Sequence, residues 1–361
     1  MPSEEIDPAF FQENERTAPS VNLRRTFEAG PLQCDSGSKL DAVTLAYECW
    51  GDSTTAADRS ILVCHALSGD SHAVGWWDRL VGPGKAIDTN HYHVISVNAL
   101  GGCQGSTGPS SLAPDGRHYG SRFPVITLRD IVEPIWRLLR SLGIEQLAGV
   151  AGGSMGGMTA LEVCRQGPVK KAFVTAAARA HSAMQIGFNE TARQAIMRDS
   201  KWLGGDYPLD DPPIQGLAVA RMLGHLSYLS EESFDRKFGR RSQCGEQFRY
   251  TLSTEFAVES YLNYQGEKFT KRFDPNSLLI LSKALDYYEF PGFHDLSTEW
   301  LFTSFSSDLL YPSHQSETMH QLAKSAGCAS RHFEINLPFG HDAFLLDDQH
   351  QGAAVREFFD A

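Results

Sequence analysis

The sequence is short of positive charge: 32 lysines and arginines stand against 44 aspartates and glutamates, a formal net charge of −12. That balance argues against nucleic acid as a partner and offers an anionic membrane surface nothing to attract. No run of 18 or more apolar residues occurs, so no transmembrane helix is expected. The opening stretch, MPSEEIDPAFFQENERT, has no apolar core of the kind a secretory signal needs. Cysteine is irregular, seven residues without a Cys-x-x-Cys pair, which points to reduced thiols in a cytoplasmic protein rather than to a disulfide framework. Cys64 and Cys103 lie beside loops of interest and read as spectators. Zinc spacing is missing as well: neither His91 and His93 nor His65 and His72 make a recognised ligand set, so no metal is expected.

Phosphate-binding fingerprints are also lacking. The glycine-rich GGCQGSTG at 101–108 has no Gly-x-Gly-x-x-Gly spacing, and the lysine of VGPGKA at 81–86 is followed by alanine. A third glycine-rich stretch, AGGSMGGM at 151–158, has no Lys-Ser or Lys-Thr after it. What it does have is Gly152-Gly153-Ser154-Met155-Gly156, a match to Gly-x-Ser-x-Gly. In that pattern a strand turns so sharply into a helix that the central serine protrudes, and small residues two before and two after it make the bend possible. The context agrees, because LAGVAG (147–152) reads as a short strand and MGGMTALEVCRQ (155–166) as the start of a helix.

At 361 residues and 42% apolar content the chain can bury a large core. Strand-like runs recur at 43–50, 60–67, 93–100, 147–152, 172–178, 299–305 and 331–337. Between the third and fourth, Leu128, Ile131, Val132, Ile135, Leu138, Leu139 and Leu142 repeat at helical spacing, with Thr127 as N-cap and Asp130 in the first turn. Strands that are apolar almost throughout suit a sheet covered on both faces. The alternation predicts an α/β fold with a mostly parallel central sheet. Residues 181–295 break the rhythm with helix-rich sequence and read as an inserted helical lid, leaving 1–180 and 296–361 as the catalytic domain. Trp76 and Trp77 are expected to pack under the entrance, and Glu231 and Glu232 to lie on a solvated helix face.

A serine hydroxyl needs a base and an acid partner before it can act as a nucleophile. In the α/β-hydrolase order the acid and then the histidine follow the serine. Asp308 stands just beyond the strand-like run 299–305, and His341 just beyond 331–337. Both positions are at the carboxyl ends of predicted parallel strands, where a site gathers. The oxyanion of a tetrahedral intermediate would lie against two backbone amides, those of Met155 and of Leu67 in HALSG (65–69).

With these residues in place, the chain resembles the homoserine O-acyltransferases of the α/β-hydrolase superfamily. The resemblance is carried by HALSG, GWWDRLVGPGKAIDT, NALGGCQGSTGPSS, FPVITLRDIV, GGSMGGMTALE, SAMQIGFNETARQAI, GLAVARMLGHLSYLSEES, KFGR, VESYLNYQGEKFTKRFDPNS and GHDAFLL. These pieces run from about residue 45 to 346. One departure stands out: only DSHAV separates HALSG from GWWD, where relatives often carry a longer insertion, which alters the expected pocket rim.

The resemblance implies a two-step transfer from an acyl-CoA, acetyl favoured over succinyl, to L-homoserine in methionine biosynthesis. Acyl-CoA is then a substrate, and no cofactor is implied. Ser154, His341 and Asp308 would be the triad, Arg221 and Tyr228 would meet the substrate carboxylate, and Asp342 its ammonium group. It also implies a homodimer joined through the lid. A homoserine O-succinyltransferase, a serine O-acyltransferase and a plain serine ester hydrolase are the alternatives.

Overall fold

The computed structural model describes residues 24–243 and 248–361; the acidic opening stretch and Cys244 lie outside them. Its strands are β1 (Arg25–Gln33), β2 (Lys39–Trp50), β3 (Ser60–Cys64), β4 (Val81–Gly82), β5 (Ile87–Asp88), β6 (His93–Val97), β7 (Leu147–Gly153), β8 (Val169–Thr175), β9 (Glu299–Phe305) and β10 (Ser330–Ile335). Eight of them form one sheet in the order β1-β2-β6-β3-β7-β8-β9-β10. From β6 to β10 every neighbour is parallel, whereas β1–β2 and β2–β6 are antiparallel. The expected α/β-hydrolase fold with a mostly parallel sheet is the observed one. The central strands β3 and β6 are buried along their whole length, which accounts for their mostly apolar sequence.

The helices are α1 (Ala56–Arg59), α2 (Ala73–Trp76), α3 (Leu128–Ser141), α4 (Met155–Gln166), α5 (Ala183–Met197), α6 (Ile214–Tyr228), α7 (Glu231–Lys237), α8 (Ala257–Thr270), α9 (Pro275–Tyr287), α10 (Ser313–Ser325), α11 (Ala343–Leu346) and α12 (His350–Asp360). Thr127 and Asp130 cap α3 reciprocally, each side chain bonding the other's backbone amide. Helices α5 to α9 all fall between β8 and β9 in sequence, the stretch read as a lid. Among the described residues no helix is long and apolar enough to cross a membrane.

Two apolar clusters cover the sheet. One holds α3 and α4 with Trp136, Trp300 and Phe302; the other holds Trp77, Phe173, Phe305, Phe344 and Phe358. Strand β1 was not legible in the sequence. It contains Gly30 and Pro31, and its register with β2 shifts on both sides of Gly30, so its alternation is broken, as an edge strand tolerates.

Candidate active site

Ser154 sits between the last residue of β7 and the first of α4, at φ 57° and ψ −126°. A non-glycine residue in that region is strained by about 1–3 kcal/mol and is held there by its surroundings. The surroundings are the glycines. A Cβ on Gly152 would come within 2.2 Å of the Gly156 carbonyl oxygen, and one on Gly156 within 2.1 Å of the Cys64 carbonyl oxygen. Helix α4 can therefore start directly against the ends of β7 and β3 only with hydrogen at those two positions. The two methionines beside the serine are buried, and Met158 Sδ lies 3.7 Å from the Tyr311 hydroxyl.

Each further candidate follows a parallel strand. The loop after β9 brings Asp308, which accepts the amides of Leu310 and Tyr311 at 2.9 and 2.8 Å on one oxygen and the His341 Nδ1 at 2.8 Å on the other. His341 follows β10, buried between the Tyr311 ring (5.1 Å, stacked) and the Phe344 ring (5.3 Å). Burial alone would lower the His341 pKa, but the charge and hydrogen bond of Asp308, with Asp342 adding, outweigh it and leave it raised above 6.5. Met155 is the first residue of α4, where helix amides have no intrahelical acceptor. Leu67 lies in the turn closed by the Gly69 amide on the Ala66 carbonyl at 2.8 Å.

A cavity of about 230 Å³ opens above Ser154. Its walls include Leu67, Arg221, Tyr228, His341 and Asp342, so the structure brings these candidates together around the serine. Ser154 projects into this covered space and is only 9% exposed, whereas the turn alone suggested a serine standing out from the surface; the helices between β8 and β9 roof it over. Arg221 is buried in α6, its guanidinium over the Phe269 and Tyr228 rings at 4.9 and 5.7 Å and its Nη1 3.4 Å from the Ser68 hydroxyl. Burial raises the Tyr228 phenol, Arg221 opposes that shift and Asp342 adds to it, so the three groups share one electrostatic environment.

Other sequence candidates have structural partners. His65 bridges the Ala66 carbonyl and the Ala99 amide, and His72 meets the buried Glu48 at 2.8 Å. Burial pushes the Cys64 thiol up to about 12 and Cys103 up to about 11, which suppresses the nucleophilic thiolate. Trp77 is fully buried, bonding the Phe344 carbonyl, while Trp76 stacks on it and reaches the cavity wall. Sequence reasoning missed His181, Gln185, Asn189, Ser282 and Tyr311, which also line the cavity. Gln185 and Asn189 fall in one of the stretches that carry the resemblance, but the five residues share no common motif and meet only through the fold.

A strand-to-helix serine at the carboxyl edge of a parallel sheet, with an acid and a histidine arriving from the next two strand ends, defines an α/β hydrolase. The family model described as alpha/beta hydrolase fold matches residues 59–348. A homoserine O-acetyltransferase of Solidesulfovibrio magneticus is 47% identical over 91% of this chain and 89% of its own. The crystal structure of homoserine O-acetyltransferase from Bacillus anthracis superposes with a TM-score of 0.87 at 26% identity, covering 94% of this chain and 97% of that one. That of esterase E22 does so with a TM-score of 0.84 at 29% identity, over 93% and 99%. The chain belongs to the homoserine O-acetyltransferase family and is an acyltransferase.

Proposed function

We propose that the protein transfers an acetyl group from acetyl-CoA to the hydroxyl of L-homoserine, as a step of methionine biosynthesis in the cytoplasm. Ser154 attacks the thioester while His341 takes its proton, and Asp308 holds the imidazole and its developing charge. The Leu67 and Met155 amides receive the oxyanion, each worth about 3–4 kcal/mol in comparable sites. CoA leaves with its electron pair and a proton from His341. The homoserine hydroxyl then gives its proton to His341 and attacks the acyl-serine, and Ser154 Oγ leaves with that proton. The reaction is ping-pong, since CoA departs before homoserine reacts.

The observation that carries this reading is the placing of Arg221 and Asp342 in the same cavity as Ser154. A zwitterionic amino acid needs both signs of charge, and a planar guanidinium suits its carboxylate. An ester hydrolase needs neither, although the likeness to esterase E22 makes hydrolysis the second reading to test. Incubation with acetyl-CoA, with and without homoserine, separates them. CoA release that depends on homoserine is expected; release without it would indicate hydrolysis, and a donor and acceptor panel would reveal succinyl-CoA or serine as the preferred pair. A homodimer formed through the helices between β8 and β9 completes the proposal.

A further inference from the structure

The loop that follows β3 is held by side chains that take no part in the triad. The Ala66 carbonyl accepts two hydrogen bonds, from the Gly69 amide at 2.8 Å and from His65 Nδ1 at 2.8 Å. The backbone sets the roles on His65: the Ala99 amide can only donate, so Nε2 accepts it at 3.0 Å and Nδ1 is left to donate. Two residues on, the Ser68 carbonyl accepts Arg272 Nη1 at 2.8 Å. Arg272 lies between α8 and α9 and does not line the cavity around Ser154. Its guanidinium rests over the Phe269 ring at 5.1 Å, and its own carbonyl accepts Gln104 Nε2 at 2.6 Å.

The peptides of this loop are trans and planar, so each carbonyl and its N–H point in opposite directions. Ser68 and Gly69 share one such unit, and Ala66 and Leu67 share another. Arg272 holds the carbonyl of the first unit. The N–H of that unit meets the carbonyl of the second, and the N–H of the second is the Leu67 amide. The result is a chain of two peptides with a cation at its head and the Leu67 N–H at its tail. Among the described residues that amide has no hydrogen-bond partner. A charge at the head of such a chain polarises each bond in turn and strengthens the last donor. The two ties on the Ala66 carbonyl also stop its peptide from rotating, so the donor is aimed before charge develops.

We propose that Arg272 is a positioning residue for the oxyanion site: through the Ser68 carbonyl and the Gly69 amide it aims and polarises the Leu67 amide that receives the negative oxygen. This rests on the roles of Ser154 and Leu67 in the proposed function, but not on the identity of the donor or acceptor. Arg272 stands outside the cavity walls, and its influence is felt where charge appears on the acyl oxygen. Acylation therefore depends on it while binding of the neutral donor does not. The segment between β8 and β9 then supports the oxyanion site as well as roofing it.

The test uses the full chain and p-nitrophenyl acetate, whose burst of nitrophenolate reports acylation of Ser154 whether or not acetyl-CoA and homoserine are the natural pair. Arg272→Met keeps an apolar stem over Phe269 and removes the donor. It should slow acylation about ten- to a hundredfold at an unchanged half-saturating concentration, and weaken binding of 1,1,1-trifluoroacetone by the same factor. With that ketone Ser154 Oγ bonds to the carbonyl carbon, its proton goes to His341, and the carbonyl oxygen becomes an anion facing Leu67 and Met155. Arg272→Lys should recover most of both losses, because a single carbonyl asks for one charged donor and not for a planar fork. A loss confined to half-saturation, a rate loss without the matching loss of ketone affinity, no loss, or a lysine variant as slow as the methionine one would each overturn the proposal. Should Arg272→Met fail to fold, Gln104→Met, which frees the Arg272 carbonyl, should show smaller losses paired in the same way; unpaired losses or none would overturn it. A burst that survives Ser154→Ala would instead remove the nucleophile assignment on which both readings stand.

Discussion

His341 carries the pH dependence expected of the protein. A general base must be neutral, and Asp308 and Asp342 raise this histidine above 6.5 against the opposing effect of burial. The efficiency of the first half-reaction is therefore expected to rise with pH through a midpoint above 6.5, and a profile of kcat/KM that levels off below that value would contradict the assignment. The same shift stabilises the fold when His341 is protonated. That contribution is complete below the unfolded pKa and is lost as pH rises through the folded one. Arg221 gives the second residue-scale prediction. Arg221→Lys keeps the charge but loses the planar fork, so the step with homoserine should lose roughly ten- to a hundredfold in efficiency, while acylation by the donor alone stays near the wild-type rate. Measuring both half-reactions decides it: equal losses would assign Arg221 to the donor or to the packing of α6 on Phe269.

At the scale of elements, the site depends on how closely α4 starts against β3 and β7. Gly156→Ala puts a methyl group 2.1 Å from the Cys64 carbonyl oxygen, a backbone atom that cannot rotate aside. Helix α4 must retreat, carrying Ser154 and the Met155 amide with it. The variant should lose about 1–3 kcal/mol of stability and most of its activity; thermal melting and steady-state turnover check the two separately, and wild-type turnover would show that the turn has slack. Another close approach joins the helices between β8 and β9 to the histidine loop. Ser230 and Ser233, at the start of α7, both donate to the Pro338 carbonyl, and the backbone of Tyr228 and Ser230 lies where a Cβ on Gly340 would be. The roof over Ser154 is thus tied to the loop that supplies His341, and Tyr228 is held against the imidazole at 6.0 Å between ring centres.

For the whole molecule, the prediction concerns assembly. Large apolar side chains stand exposed on α5 and α6, among them Met184, Ile186, Val219 and Leu226, and the proposed dimer is expected to cover them. Sedimentation should give about twice the 39.9 kDa of one chain, and Leu226→Asp should shift the protein to the single-chain mass; a wild-type monomer would refute the dimer. The sequence by itself determined the parts that local rules govern. Strand β9 falls at the predicted residues because it is buried from Trp300 to Phe305, α3 because Thr127 and Asp130 cap it, and the Ser154 turn because only glycine fits two residues to either side. Chain order after a strand was enough to single out Asp308 and His341. Strand β1 escaped because Gly30 and Pro31 break its alternation. His181, Asp286 and Tyr311 escaped for a different reason: they lie in three unrelated stretches without a common motif, and the bonds that link them exist only once β8, α9 and the loop after β9 converge. The roof over Ser154, and with it the low-dielectric setting that raises Tyr311 and lets Asp308 act on His341, is likewise a product of tertiary packing, because burial is set by what folds over a residue rather than by its neighbours in the chain.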